Sequence, residues 1–383
     1  MPFFRNPLPS LAILLTSFLI ISGSVSAAPI PAPSKVAASS YILVDFNSGR
    51  VLAEKNSNER LEPASITKIM TAYVVLNEMK QGNIHPTDEV VISEHAWRMP
   101  GSRMFVEAGS KVKVEDLFKG MVIQSGNDAS VALAEHVAGS EDAFAGLMNV
   151  HAKRLGMNNT HFVNSTGLPN ENHLTTAHDI SLMAAATIRD FPDHYHIYAI
   201  KEYTYNNIKQ YNRNRLLWRD PSVDGVKTGH TDNAGYCLAA SAKRGDMRLI
   251  SVVMGTKSDQ ARAEVSQALL NYGFRFFETH KLYRAGESLN NARVWEGDRE
   301  QLPLGITQDL YVTIPRNQYN KLKAEMALDS VLNAPINKGD KLGRVIITLD
   351  GETIEEVPLV ALQDVAKGGI WRRIKDSVLR WFE

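Results

Sequence analysis

Pro63-Ala64-Ser65-Ile66-Thr67-Lys68-Ile69-Met70-Thr71 opens a mostly apolar run that continues to about Lys80. Proline is suited to the first turn of a helix, so a long helix is predicted from Pro63 to Lys80. Residues three apart share a helix face. The Ser65 hydroxyl and the Lys68 amine can therefore meet without help from the rest of the fold. A serine hydroxyl is a poor nucleophile until a base takes its proton. Lysine, with an ordinary pKa near ~10.4, acts as that base only when burial or a second cation lowers it. On its own, Ser-x-x-Lys equally describes the polar side of an exposed helix.

Two further strings change that balance. Ser125-Gly126-Asn127 precedes a helical run from Asp128 to Val137, and Lys227-Thr228-Gly229 closes a strand that begins at Val223. Ser125 can bridge two amines and pass a proton. Asn127 carries both an amide donor and an acceptor for a peptide group. Lys227 supplies a second cation, expected to lower Lys68 and to attract a carboxylate. Gly229 is expected to let a substrate backbone approach the strand edge.

Outward from these strings the pattern is mixed. Ser40 to Lys55 reads as a hairpin turning at Asn47-Ser48-Gly49. Helical patterns follow to about Arg189, with loops at Arg98 to Ser102 and Asn164 to Asn172. Strands are predicted at Val223–Lys227, Ala234–Ala242 and Arg248–Met254, then a helix from Asp259 to about Thr279. The fold class is therefore α/β (α+β): an antiparallel sheet whose first strands pair with late ones, covered by helices. After Leu282 short β-type runs and turns such as Asp350-Gly351 dominate. The expected division is a leader over 1–27, a main domain over 28–280, a small all-β domain over 281–366 and a helix over 367–383.

The chain has 383 residues, 44% hydrophobic and 22% charged, with Lys+Arg 42 against Asp+Glu 42. That composition excludes a disordered chain or a multi-span membrane protein, and offers no global basic field for nucleic acid. One cysteine, Cys237, excludes an internal disulfide and is read as a small core residue. His151, His161, His173 and His178 are scattered and read as surface or capping residues. No metal site and no cofactor is expected.

Both ends read as addresses. Arg5, an apolar stretch from Leu11 to Ile21 and the small residues Ser22 to Ala28 form a signal peptide, cut after Ala27 or Ala28. That stretch falls short of the roughly 20 residues of a membrane-spanning helix. From Lys367 there are five basic and two acidic residues, with Ile370, Trp371, Ile374, Val378, Trp381 and Phe382 on one helical face. This predicts an amphipathic helix lying on a membrane surface, hinged away at Gly368-Gly369; the alternative is a terminal helix docked on its own domain.

Ser-x-x-Lys, Ser-x-Asn and Lys-Thr-Gly in this order resemble the penicillin-binding proteins. Gln124-Ser125-Gly126-Asn127-Asp128-Ala129, Asn164-Ser165-Thr166-Gly167-Leu168-Pro169 and Val223-Asp224-Gly225-Val226-Lys227-Thr228-Gly229-His230-Thr231 extend the likeness. Nearly the whole chain is similar to the low-molecular-mass (class C) family, the D-alanyl-D-alanine carboxypeptidases. The resemblance implies a β-lactamase/transpeptidase-like domain and an exported enzyme at the periplasmic face of the inner membrane. It implies that Ser65 attacks the penultimate D-alanine of a peptidoglycan pentapeptide. Lys68 is then the base, Ser125 the proton relay, and the backbone amides of Ser65 and His230 the oxyanion hole. Asn127 would hold the substrate amide, and Lys227, Thr228 and Arg262 the terminal carboxylate, with Arg213 as a further candidate. β-Lactams would acylate Ser65.

Two enzyme alternatives share this site: an endopeptidase acting on cross-links, and a weak β-lactamase. No glutamate lies between Glu141 and Glu171 to activate a deacylating water, so slow β-lactam turnover is expected. A membrane-bound scaffold with an idle site is the non-enzymatic alternative.

Overall fold

The first hairpin forms as strands β1 (Ser40–Asp45) and β2 (Val51–Lys55), and its turn places Gly49 at φ +71°. Asp45 ends β1 and holds the turn, since its Oδ1 accepts from the backbone N–H groups of Asn47 and Ser48. In this computed structural model, residues 30–33 and 36–379 are described; the expected signal peptide lies outside them.

The predicted helix after Pro63 comes in two parts. Ala64–Thr67 is a 3-10 turn, and α1 spans Lys68–Gln81. Ala64 sits at φ +48°, a left-handed value that costs a non-glycine residue about 1 kcal/mol. Ile69, Met70, Ala72 and Val74 are all fully buried, so α1 runs through the core rather than over it. Around it pack α2 (Val114–Gln124), α3 (Asn127–Ala138), α4 (Glu141–Arg154) and α5 (Ala177–Asp190).

Strands β3 (Val223–Thr231), β4 (Gly235–Arg244) and β5 (Met247–Thr256) follow, then α6 (Asp259–Phe276). The sheet order is β2-β1-β5-β4-β3, antiparallel throughout, so the chain's first strand pairs with its late ones as expected. β3 reaches four residues beyond the predicted Lys227. Its pairing with β4 continues to Thr231↔Gly235, which places the whole Lys-Thr-Gly-His string inside the edge strand.

α6 ends three residues earlier than predicted. β6 (Phe277–Tyr283) begins at once and pairs with a later strand, Glu278 opposite Ile314, so tertiary pairing overrides local helical pattern. The remaining strands are β7 (Asn290–Trp295), β8 (Gln301–Gly305), β9 (Leu310–Pro315), β10 (Leu322–Leu328), β11 (Leu332–Asn333), β12 (Lys341–Leu349) and β13 (Glu352–Ala361). β6 pairs with β9, and the others form one sheet in the order β10-β12-β13-β8-β7-β11. The Asp350-Gly351 turn has φ +52° and +88°, both positive, as a two-residue hairpin turn requires. An apolar core of its own, including Val294, Leu302, Val345, Ile347 and Leu359, fills this β-rich region.

Thr279 Oγ1 donates to Asp45 Oδ2 at 2.6 Å, and Ser48 Oγ lies 2.6 Å from Thr313 Oγ1. The first hairpin is thus tied directly to β6 and β9. The last helix, α7, spans Ile370–Leu379. No helix among the described residues is long and apolar enough to cross a membrane.

Candidate active site

The 3-10 turn brings Ser65 and Lys68, the expected nucleophile and base, together. Side chains three apart eclipse each other in a 3-10 helix. Ser65 Oγ and Lys68 Nζ are 3.2 Å apart as a result. Packing fixes the turn from two sides. A Cβ on Gly167 would sit 1.8 Å from the Ala64 carbonyl oxygen, and one on Gly229 would sit 2.8 Å from that of Pro63. Gly229, expected to admit a substrate backbone, lines the cleft, and the space a side chain would need there is filled by the turn that carries Ser65.

Lys68 is 1% exposed and makes three hydrogen bonds. Besides Ser65 it donates to Asn127 Oδ1 at 2.7 Å and to the Thr166 carbonyl at 2.6 Å. Burial lowers its pKa to about 7, helped by the Arg213 guanidinium and opposed by Asp128 and Glu141. Lys227 was expected to be the depressing charge. Burial is instead the largest cause, and Lys227 is itself held far below the usual lysine range by burial, Lys68, Arg213 and Arg262.

Ser125 ends α2 in the left-handed region at φ +69°, on a corner that Gly126 and Asn127 turn into α3. The Asn127 N–H donates to the Ser102 carbonyl, and Asp128 accepts from the N–H groups of Met104 and Phe105, both at 2.8 Å. These bonds hold the 100–106 loop over the corner. Both ends of the Asn127 amide are engaged, Oδ1 with Lys68 and Nδ2 with the Pro100 carbonyl at 2.6 Å. It braces the lysine in addition to facing the cleft.

Ser65, Ser125, Asn127, Arg213, Thr228, Gly229, His230 and Arg262 all line one cleft of about 760 Å³. Lys227 is 3% exposed, and its amine lies 3.3 Å from the Thr228 carbonyl. Arg262 is also buried, and donates to the Gly229 carbonyl at 3.0 Å. Arg213 is exposed at the cleft's rim. The His230 and Tyr236 rings lie 3.9 Å apart. Among the described residues no group of three or more His, Cys, Asp or Glu side chains could hold a metal.

Sequence reading assigned no role to several participants. Thr166 acts through its carbonyl, which any residue has; the only trace is the Asn164-x-x-Gly167 turn, whose Asn164 Oδ1 accepts from the Thr166 and Gly167 N–H groups. Tyr211, Arg215, Tyr236 and Asp259 line the cleft too. His173, read as a surface or capping residue, is 1% exposed and bonds Thr67 Oγ1 through Nε2 at 2.8 Å. His151 is buried as well. Cys237 is a core residue, its thiol raised to about 11 by burial.

A serine within hydrogen-bond reach of a buried lysine, beside a cleft lined by arginines, is the constellation of a serine hydrolase. The family model described as D-alanyl-D-alanine carboxypeptidase matches residues 26–258, and that of the penicillin-binding protein 5 C-terminal domain matches 277–367. The D-alanyl-D-alanine carboxypeptidase DacA of Escherichia coli K12 is 46% identical over 361 residues, 92% of this chain and 90% of that one. DacC of the same strain is 47% identical over 365 residues, 92% and 91% of the two chains. The crystal structure of penicillin binding protein 5 from Haemophilus influenzae superposes with a TM-score of 0.86 at 43% identity, covering 88% of this chain and all of that one. This chain belongs to the D-alanyl-D-alanine carboxypeptidase family.

Proposed function

We propose that the enzyme removes the terminal D-alanine from peptidoglycan stem pentapeptides at the periplasmic face of the inner membrane. The observation that carries this reading is the 3.2 Å approach of Ser65 to a buried lysine with a pKa near neutrality. Neutral Lys68 takes the Ser65 proton as Oγ attacks the penultimate D-alanine carbonyl. The amide bond breaks, Ser125 passes the proton to the departing D-alanine amine, and an ester on Ser65 remains. Water then attacks the ester while Lys68 accepts its proton, and Ser65 leaves reprotonated. The Ser65 and His230 amides stabilise the oxyanion, and Asn127 contacts the substrate amide. Thr228, Lys227 and Arg262 receive the terminal carboxylate, with Arg213 at the rim.

β-Lactams acylate Ser65 in the same way, and their release is slow. Glu141 supports this, because its carboxylate is committed to the Ser165 N–H and hydroxyl, at 2.9 and 2.6 Å. The division proposed for the chain is a signal peptide over 1–27, a catalytic domain over 28–280, a β domain over 281–366 and an anchor over 367–383. Support for the anchor comes from α7, where Ile370, Trp371, Ile374 and Val378 are all more than half exposed. Trp381 and Phe382 lie outside the described residues.

Mass spectrometry of the mature chain, incubated with a muramyl pentapeptide and then with a penicillin, tests the reading. The expected results are free D-alanine from the first and a stable adduct on Ser65 from the second, both abolished in Ser65→Ala. A chain that releases no D-alanine and takes no adduct overturns it.

A further inference from the structure

The cleft's charge lining is lopsided. Among the described residues three arginines, Arg213, Arg215 and Arg262, face it with a single acid, Asp259. That acid is paired. Arg215 Nη2 and Asp259 Oδ2 are 2.7 Å apart, although their elements are separated by 44 positions in sequence. Asp259 is the first residue of α6, one helical turn before Arg262, whose side chain reaches the Gly229 carbonyl. Arg215 immediately precedes the short helix Leu216–Arg219. The pair therefore spans two walls of the cleft next to the guanidinium assigned to the substrate carboxylate.

A carboxypeptidase substrate ends at that carboxylate, with only a methyl group on the departing residue. In a cross-linked dimer the same acyl group is joined to an amine of a second stem peptide. The departing group then carries a chain that must leave the cleft beyond its own carboxylate. We infer that the Arg215–Asp259 ion pair closes the leaving-group end of the cleft and favours departure of a single amino acid over that of a cross-linked peptide. This rests on the proposed placement of the terminal carboxylate at Thr228 and Arg262. Both side chains are partly exposed, 56% and 36%, and such pairs are weak. The barrier is therefore a bias of about tenfold rather than a wall.

The test compares the full-length enzyme with the double variant Arg215→Ala/Asp259→Ala and the charge-swapped Arg215→Asp/Asp259→Arg. Each is given a muramyl pentapeptide and a cross-linked dimer, and penicillin acylation of Ser65 checks the site. The ratio of dimer cleavage to D-alanine release is expected to rise about fivefold to tenfold in the double variant and to fall back in the swap. An unchanged or lower ratio overturns the inference, as does a parallel loss of both activities while penicillin still acylates. So does a wild-type enzyme that already cleaves the dimer as fast as the pentapeptide. If the double variant takes no penicillin, Asp259→Asn decides by the same ratio. Failure of the underlying reading looks different: the wild type would release no D-alanine at all.

Discussion

Lys68 Nζ is closer to the Thr166 carbonyl oxygen, at 2.6 Å, than to the Ser65 hydroxyl, at 3.2 Å. With Asn127 Oδ1 at 2.7 Å, all three donors of an ammonium have acceptors. The proposed base role needs the other form, in which a lone pair faces Ser65. A pKa of about 7 keeps both forms populated at neutral pH. The neutral fraction grows as pH rises, so acylation by a chromogenic cephalosporin should rise about tenfold per unit below pH 7 and level off above it. Arg213 is one cause of the lowered value, so Arg213→Ala should move the midpoint upward. A flat profile from about pH 5.5 to 8.5 would remove Lys68 as the base.

Gly167 offers a sharp steric test. Its φ is +83°, and an added Cβ would lie 1.8 Å from the Ala64 carbonyl oxygen and 2.8 Å from Thr67 Oγ1. Gly167→Ala must displace either the nucleophile turn or the loop carrying Thr166. Acylation is expected to fall at least about 100-fold, with circular dichroism close to wild type. Gly82, at φ +78° with nothing within 4 Å of a Cβ, is the control. Gly82→Ala should cost about 1 kcal/mol of stability and leave acylation alone. Equal losses in both variants would count against the packing argument.

The difference between these glycines marks what a sequence can reveal. The three strings around Ser65, Ser125 and Lys227 were legible because each sets its polar side chains at short, fixed spacing. The five-stranded sheet was legible because its strands are short, largely apolar runs bounded by turn residues. Thr166 was not, since a carbonyl leaves no side-chain signature, nor was the packing of Gly229 against Pro63, more than 160 positions away in sequence. The C-terminal segment was half legible. Its apolar face was plain, but its glycines do not swing it free. Gly368 N–H donates to the Glu296 carbonyl at 2.7 Å, and a Cβ there would meet Gly297.

His173 ties the two sides of the base together. Its Nδ1 accepts from the Val163 N–H at 3.2 Å, which leaves the proton on Nε2 to donate to Thr67 Oγ1. Burial, then the charges of His161 and Lys68, lower its pKa to about 4. In the unfolded chain it titrates near ~6.5. The folded state thus binds fewer protons between those values, and stability is lost as pH falls from about 6.5 to 4. The loss attributable to this residue is at most about 3 kcal/mol. Urea midpoints should drop more steeply over that window in wild type than in His173→Gln. Parallel curves would show that His173 is not buried in its neutral form.

The last helix docks by its polar side. Asp376 accepts from the Glu296 N–H at 2.7 Å, Arg372 pairs with Glu300 at 3.5 Å, and Arg373 approaches Glu296 at 3.9 Å. Asp376 is buried there, and the half-exposed Arg373 and exposed Lys375 each face a glutamate, so the uncompensated outward surface is the apolar one, with Trp371 82% exposed. Membrane affinity should therefore depend more on apolar burial than on anionic lipid. Burying one tryptophan side chain is worth about 2 kcal/mol or more, so Trp371→Glu should weaken co-sedimentation with vesicles at least about 30-fold. Adding anionic lipid to neutral vesicles should change binding less than that substitution does. Deleting Gly368 to Glu383 should abolish vesicle binding and leave kcat on the pentapeptide unchanged. A truncated enzyme that still sediments with vesicles would place the membrane contact elsewhere on the chain.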